Sequence, residues 1–172
     1  MIVVGFTHEL PAATQATLSW YPHQLKYVGN SDSDYFDLLE AWWASHEREL
    51  VIVEHDIVPQ KELIDEMLDC PRPWCAAMYP FEEKWLFGLG LTKFSLGIRQ
   101  AMPTLFDEIA QNGGGVHPPK HWCSLDAHMQ NILNRASGQT ACVHNHQEWI
   151  EHRNLEAPGT SKWRSHTACL LP

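Results

Sequence analysis

Short apolar runs alternate with amphipathic segments through the first sixty residues of the chain. The runs at residues 1–6, 25–30 and 50–59 predict three strands, of which the first and third are rich in β-branched residues and should be buried. Residues 7–22 predict a loop and a short helix. Residues 31–48 predict a longer helix, because capping residues precede apolar positions at helical spacing. This order of strands and helices predicts an α/β fold whose sheet is parallel at its start.

The rest of the chain continues this alternation and then loses it. The pattern predicts a helix over residues 60–70, a strand over 74–80 and an extended piece over 86–103 that becomes helical. Two helices over 104–115 and 121–138 and a last strand over 140–149 follow. Residues 151–172 are polar and irregular. We therefore expect one domain over residues 1–150, a Rossmann-like α/β/α sandwich with a mainly parallel central sheet, followed by a tail over residues 151–172.

Composition narrows the class of protein. The chain has 172 residues, of which 44% are hydrophobic, so it can bury a core. A net charge of −9 disfavours sequence-independent binding to nucleic acid, which needs cationic side chains against the phosphates. The chain lacks an apolar run of membrane-spanning length and a basic leader, so we expect a cytoplasmic protein without membrane contact. Its five cysteines lack a CxxC pair and are interpreted as reduced, mostly buried thiols.

Three polar residues at the tip of the third strand are the first candidate site. Glu54, His55 and Asp56 follow the apolar run that starts at Leu50. In parallel sheets ligands bind beyond the carboxyl ends of the strands, where we also expect Thr7 and His8 and the turn over residues 30–34. Two carboxylates at a strand end can share a hard divalent cation. The alternative is that these acids only cap the following helix.

The order of motifs resembles a known family. "VVGFTHE", "YVGNSDSD", "VIVEHDIVP", "FGLGLTKFSLGIRQ", "WCSLDAHMQNILNRASG" and "VHNH" occur in this order over residues 2–150. The set resembles the GT-A glycosyltransferases, and more closely their inverting family-2 type, of which small stand-alone members occur in bacteriophages. Glu54 replaces the first aspartate of that family's DxD motif, and Leu125 stands where a second acid is common. The chain is also short for the family.

The resemblance implies a GT-A-like fold and a metal-dependent transfer of a sugar from a UDP- or GDP-sugar to an acceptor hydroxyl. The acceptor is left open between a glycan, a protein and modified nucleic acid. Asp56, with Glu54, would hold Mn²⁺ or Mg²⁺, and an imidazole from His144 or His146 would favour Mn²⁺. These two histidines alternate along the predicted last strand, so both should point to one face.

The other predicted contacts follow the same resemblance. Asp126 is the candidate general base, although an acid near a helix start is also a good cap. Trp122 is a candidate for stacking on a sugar, with core packing about equally favoured. Gly114, in a glycine run without a P-loop lysine, should lie near the acceptor. The expected donor contacts are Thr7, His8, Asp32, Asp34, Glu54, His55 and Asp56, of which His55 should face away from the two acids beside it.

Two other classes of protein are compatible with the same residues. An α/β nucleotide- or metal-binding protein, such as a phosphohydrolase, could use the same acidic rim. A carbohydrate-binding module is the third candidate, because eight tryptophans are many for this length and tryptophan stacks on sugars.

Overall fold

A computed structural model describes residues 1–6, 10–29, 31–45, 49–81, 84–112, 117–137 and 142–152. Within these residues, eight strands form two sheets: β1 (Ile2–Phe6), β2 (His23–Tyr27), β3 (Glu49–Glu54), β4 (Ile57–Pro59), β5 (Trp74–Phe81), β6 (Lys84–Ser95), β7 (Cys142–His144) and β8 (Ile150–His152). Six strands form the central sheet, in the order β2-β1-β3-β6-β5-β7, and β4 pairs with β8 in a small second sheet.

The central sheet is mainly parallel, as the sequence predicts. Strands β1, β2 and β3 pair in parallel, and so do β5 and β7. Strand β6 alone runs the other way, since it is antiparallel to both β3 and β5. The carboxyl ends of β1, β2 and β3 therefore lie along one edge of the sheet, where a ligand site of an α/β fold is expected.

Helices cover both faces of the sheet, which confirms the predicted α/β/α sandwich. Their bounds are α1 (Ala12–Leu18), α2 (Asp34–Trp43), α3 (Lys61–Asp69), α4 (Leu96–Ala101), α5 (Leu105–Asn112) and α6 (Trp122–Ser137). Helices α1 and α3 bury apolar residues against Val51 and Val53 of β3. Helices α2, α5 and α6 pack on the other face, against Ile52. None of the described helices combines the length and apolar composition of a membrane span.

Three elements differ from their sequence predictions. The strand predicted over 50–59 is two strands, because the chain turns at His55 and Asp56 and continues in the second sheet. The chain was predicted to be irregular from residue 151, but Glu151 and His152 belong to β8. The last strand was predicted to be continuous over 140–149, but β7 has only three residues and a 3₁₀ turn at Gln147–Trp149 follows it. Thr7, His8, Gly114 and residues 153–172 lie outside the described residues.

Candidate active site

The buried strand β3 carries the first acid of the site to the edge of the sheet. Leu50 to Val53 are almost completely buried, so a carboxylate on β3 meets solvent only at its end. Glu54 occupies that end and pairs in register with Gly5 of β1. Asp56 follows in the turn, because the chain leaves the sheet there and forms β4. His55 also lies in this turn and is half-buried.

Helix α6 brings a third carboxylate to the same place. An oxygen of Asp126 (Oδ2) accepts a hydrogen bond from the backbone N–H of Leu89 in β6, at 3.2 Å. The carboxylate reaches the strand because Gly88 has no side chain, since a Cβ atom there would overlap Asp126 Oδ2. The first turn of α6 holds no acid, so the predicted position of Asp126 in that turn was wrong. The carboxylate therefore bonds a neighbouring strand, and it also accepts from its own backbone N–H in α6.

Burial and neighbouring charge both affect the ionisation of Glu54, and burial affects that of Asp126. Burial raises the pKa of Glu54 well above its usual value, and the negative charges of Asp126 and then Asp56 raise it further. Burial raises the pKa of Asp126 to about 6, although the N–H of Leu89 opposes the shift. Like charges held together out of water favour a bound cation, and oxygen donors of this kind suit a hard divalent ion.

Two buried tyrosines complete the surroundings of these acids. The hydroxyl of Tyr35, in α2, interacts with Glu54, and the hydroxyl of Tyr79, in β5, bonds the backbone of Gly90. Burial raises the pKa of both phenols, and the charges of Glu54 and Asp126 raise them further, so both stay neutral donors near pH 7. Sequence reasoning missed these two residues, because a tyrosine on an apolar face is usually a core residue.

The rim beside the acids is formed by the loop before α2 and the start of α6. The backbone N–H of Trp122 donates to the carbonyl of Asp32 at 3.1 Å, and the Asp32 carboxylate lies 3.7 Å from Nε2 of His121. The His121 ring stacks on Trp122 and on His117, with centroids 5.6 Å and 4.3 Å apart. Since Trp122 and Asp126 are four residues apart on one helix, they lie on the same side of it.

The structure places the other predicted residues as follows. Asp34 accepts the backbone N–H of Ser31 at 2.9 Å, so its carboxylate stabilises the turn in which it lies. His144 and His146 both contact Glu66 of α3, at 2.6 Å and 2.9 Å. Strand β7, which carries His144, is separated from β3 by two strands. The structure thus brings Glu54, Asp56 and Asp126 together and places the two histidines elsewhere.

The backbone of a late histidine, which sequence reasoning did not single out, lies beside the strand that follows the acid turn. Strand β8 pairs with β4 so that the backbone of His152 is opposite Ile57. Ile57 directly follows Asp56. The pairing of a three-residue strand with a distant one gives no signal in the sequence, so this neighbourhood could not have been predicted.

The close contact between Gly88 of β6 and Asp126 of α6 can be tested by substitution. Gly88→Ala should push the Asp126 carboxylate away from the other two acids, because the added methyl group overlaps it. We expect Mn²⁺ affinity, measured by electron paramagnetic resonance, to fall at least roughly tenfold. Gly97→Ala is the matched control, since its Cβ would find its nearest neighbour, Ser95 Oγ, at 3.8 Å. Equal Mn²⁺ binding by both variants would mean that Asp126 does not contribute to a cation site.

No family model matches the chain, and no curated protein matches it. One solved structure with a similar shape is a glycosyltransferase involved in the glycosylation of the major capsid of PBCV-1. It is 8% identical, with a TM-score of 0.47, and the match covers 91% of this chain and 94% of that chain.

Two further structures match at the same level. A197 from STIV is 9% identical, with a TM-score of 0.46, over 86% of this chain and 82% of that one. The 4-diphosphocytidyl-2C-methyl-D-erythritolsynthase from Anaerococcus prevotii DSM 20548 is 8% identical, with a TM-score of 0.49, over 90% of each chain. Structural similarity at this level does not indicate a function, which is inferred below from the residues of the site.

Proposed function

We propose that this protein is a metal-dependent glycosyltransferase, which moves a sugar from a nucleotide-sugar donor to an acceptor hydroxyl with inversion. The observation that carries the proposal is the cluster of Glu54, Asp56 and Asp126 at the carboxyl edge of a mainly parallel sheet. The order of motifs that resembles the GT-A family adds the class of substrate.

A divalent cation fits the donor set of the cluster. The two strongest charge effects on Glu54 come from neighbouring carboxylates, so a cation between them would relieve the repulsion that raises its pKa. Asp56 and Glu54 would hold Mn²⁺ or Mg²⁺ through their carboxylate oxygens, without His144 and His146, which contact Glu66. When bound, such an ion stabilises the negative charge that develops on a leaving diphosphate.

Asp126 is the candidate general base. Its pKa of about 6 leaves the carboxylate ionised at pH 7 and still basic enough to take a proton from an acceptor hydroxyl. The N–H of Leu89 holds one carboxylate oxygen of Asp126 in place. The acceptor oxygen then attacks the anomeric carbon as its proton moves to Asp126, and the bond from that carbon to the nucleoside diphosphate breaks.

The aromatic rim supplies surfaces for both substrates. Asp32, whose carboxylate is 62% exposed, is a candidate for contact with the ribose or base of a UDP- or GDP-sugar. Trp122 is half-buried at the start of α6, four residues before the base, so its ring is a candidate platform for a sugar. Thr7, His8, His55, Asp34 and the loop at Gly114 remain proposed contacts. The acceptor itself stays open between glycan, protein and modified nucleic acid.

A thermal-shift screen tests this function. UDP- and GDP-sugars should raise the melting temperature in the presence of Mn²⁺ and leave it unchanged with a chelator, because only the folded state binds them. Simple nucleoside triphosphates serve as controls. Stabilisation by glycans alone, independent of nucleotide and metal, would favour a carbohydrate-binding module. Release of phosphate from simple nucleotides would favour a phosphohydrolase.

A further inference from the structure

A second cluster of metal-binding side chains lies at the opposite side of the sheet from β2, where β7 forms the edge. Ligand atoms of Cys70, Cys75 and His144 all lie within 4.8 Å of one another. Cys142 belongs to the same cluster, because the Cys70 thiol interacts with both Cys75 and Cys142. The described cysteines of the cluster are free thiols.

The fold, and not a local motif, brings these residues together. Cys70 directly follows the last residue of α3, and Cys75 is the second residue of β5. Cys142 begins β7 and pairs in register with Cys75, while His144 ends β7 and pairs with Ala77. Since residues two apart on a strand point to the same face, all four side chains converge on the face that α3 covers.

The histidine of this cluster is oriented as a metal ligand. His144 is 7% exposed, and its Nδ1 lies 2.6 Å from a carboxylate oxygen of Glu66. A proton on Nδ1 that is donated to Glu66 leaves the lone pair on Nε2. This buried Nε2 has no hydrogen-bond partner among the described residues. A carboxylate that fixes the tautomer of a histidine through its other nitrogen is the usual support of a metal-binding imidazole.

A buried cation gives independent support. Lys93 is 1% exposed, and its Nζ donates to the carbonyls of Leu68 and Cys70, at 3.1 Å and 2.6 Å. Its carboxylate contact, Glu49, is 4.0 Å away and 42% exposed on its side chain. A buried ammonium group needs nearby negative charge. Three thiolates and a neutral imidazole around a divalent ion carry one net negative charge, which Lys93 would balance.

We propose a second, structural metal site at this edge, which takes zinc through three thiolates and one imidazole. Its four ligands are Cys70, Cys75, Cys142 and His144. Zinc prefers this tetrahedral set, with Zn–S of about 2.3 Å and Zn–N of about 2.0–2.1 Å, which places ligand atoms about 3.6–3.8 Å apart. Binding releases the three thiol protons to solvent.

The role of the zinc follows from the position of β7. A three-residue edge strand has few hydrogen bonds to hold it, and β7 pairs only with β5 among the described strands. The ion ties β7 to β5 and to the end of α3. The site is separate from the acid cluster, since β7 lies three strand spacings from β3, or roughly 14 Å.

Metal analysis of the full-length protein, purified under reducing conditions without chelator, tests the proposal. We expect about one zinc per chain, and a thiolate-to-metal charge-transfer band after replacement of zinc by Co²⁺. Cys142→Ser should lower the bound zinc at least tenfold. Cys123→Ser is the matched control, since Cys123 belongs to α6, which packs on the other face of the sheet. Asp56→Ala should keep its zinc, which separates this site from the acid cluster.

A second variant keeps the test decisive if loss of a cysteine prevents folding. Glu66→Gln removes the charge that orients His144 and should weaken zinc binding roughly 10–100-fold in competition with a chromophoric chelator. It should leave the fold intact, because Glu66 is 39% exposed on its side chain. Absence of both zinc and the cobalt band in reduced wild-type protein would overturn the proposal. A native disulfide between Cys75 and Cys142, or equal zinc loss in Cys123→Ser, would also overturn it.

Discussion

Asp126→Asn should reduce sugar transfer by roughly 10²–10⁴-fold, while donor binding at saturating Mn²⁺ stays within a few-fold of wild type. The amide has nearly the same shape as the carboxylate and can still accept the hydrogen bond from Leu89. It cannot take a proton from the acceptor. The loss should therefore appear in kcat and not in donor affinity, since proton removal matters only as the acceptor attacks. Steady-state kinetics with a saturating donor measure this split.

The same variant should be more stable than wild type in metal-free buffer at pH 8. Burial raises the pKa of Asp126 to about 6, above the usual value of about 3.9 in an unfolded chain. As the pH rises from 4 to 6 the unfolded state loses this proton first, so the free energy of unfolding falls, by on the order of 3 kcal/mol. Asp126→Asn lacks this penalty, and the difference should vanish near pH 4.

These two readouts separate a functional acid from a structural one. Substitution of a residue that only stabilised the fold would lower the melting temperature at every pH. Asp37→Asn is the matched control, because Asp37 is an exposed acid in the first turn of α2. Near-normal turnover in Asp126→Asn would remove it as the base and direct attention to Asp107, Glu108 or a histidine near residues 117–121.

Asp56→Ala should abolish Mn²⁺-dependent binding of the nucleotide sugar without unfolding the protein. Asp56 lies in the turn after β3, and its negative charge raises the pKa of Glu54. Loss of its carboxylate therefore removes one oxygen donor of the proposed cation site. Isothermal titration calorimetry should show no metal-dependent donor affinity. The melting temperature of Asp56→Ala without metal should be close to that of wild type, because a residue in this turn contributes little to the hydrophobic core.

Asp37→Ala again provides the matched control, since it removes one carboxylate outside the cluster. Metal-dependent donor affinity that survives in Asp56→Ala would exclude Asp56 from the cation site. Unfolding of Asp56→Ala would instead identify its carboxylate as a structural group of the turn.

Much of the fold could be predicted from the sequence, because buried strands and amphipathic helices leave a local pattern. The run from Leu50 to Val53 forms a buried strand, as predicted, and Glu54 lies at its end. The glycines of β6 were harder to interpret, since Gly88 and Gly90 usually indicate a break in a strand. Here they make room for Asp126 and for the ring of Tyr79. Such contacts depend on neighbours that lie far apart in the chain.

The residues of the two sites differ in how far the sequence could reveal them. Glu54 and Asp56 stand together at a strand end, so their proximity is local. Tyr35 and Tyr79 are buried core residues, and only the folded chain places their hydroxyl groups beside the acids. The sequence lacks a CxxC motif, so the thiol cluster could not be predicted. The parallel pairing of Cys75 with Cys142 assembles that cluster only in the folded chain.

Release of nucleoside diphosphate from a panel of UDP- and GDP-sugars, with Mn²⁺ and with a chelator, tests the central claim most directly. Transferases of this kind hydrolyse their donor slowly without an acceptor, so we predict metal-dependent release of UDP or GDP from at least one donor. We expect the release to be lost in both Asp56→Ala and Asp126→Asn. Absence of release from every donor, or phosphate release from simple nucleotides in its place, would contradict the assignment of the acid cluster to sugar transfer.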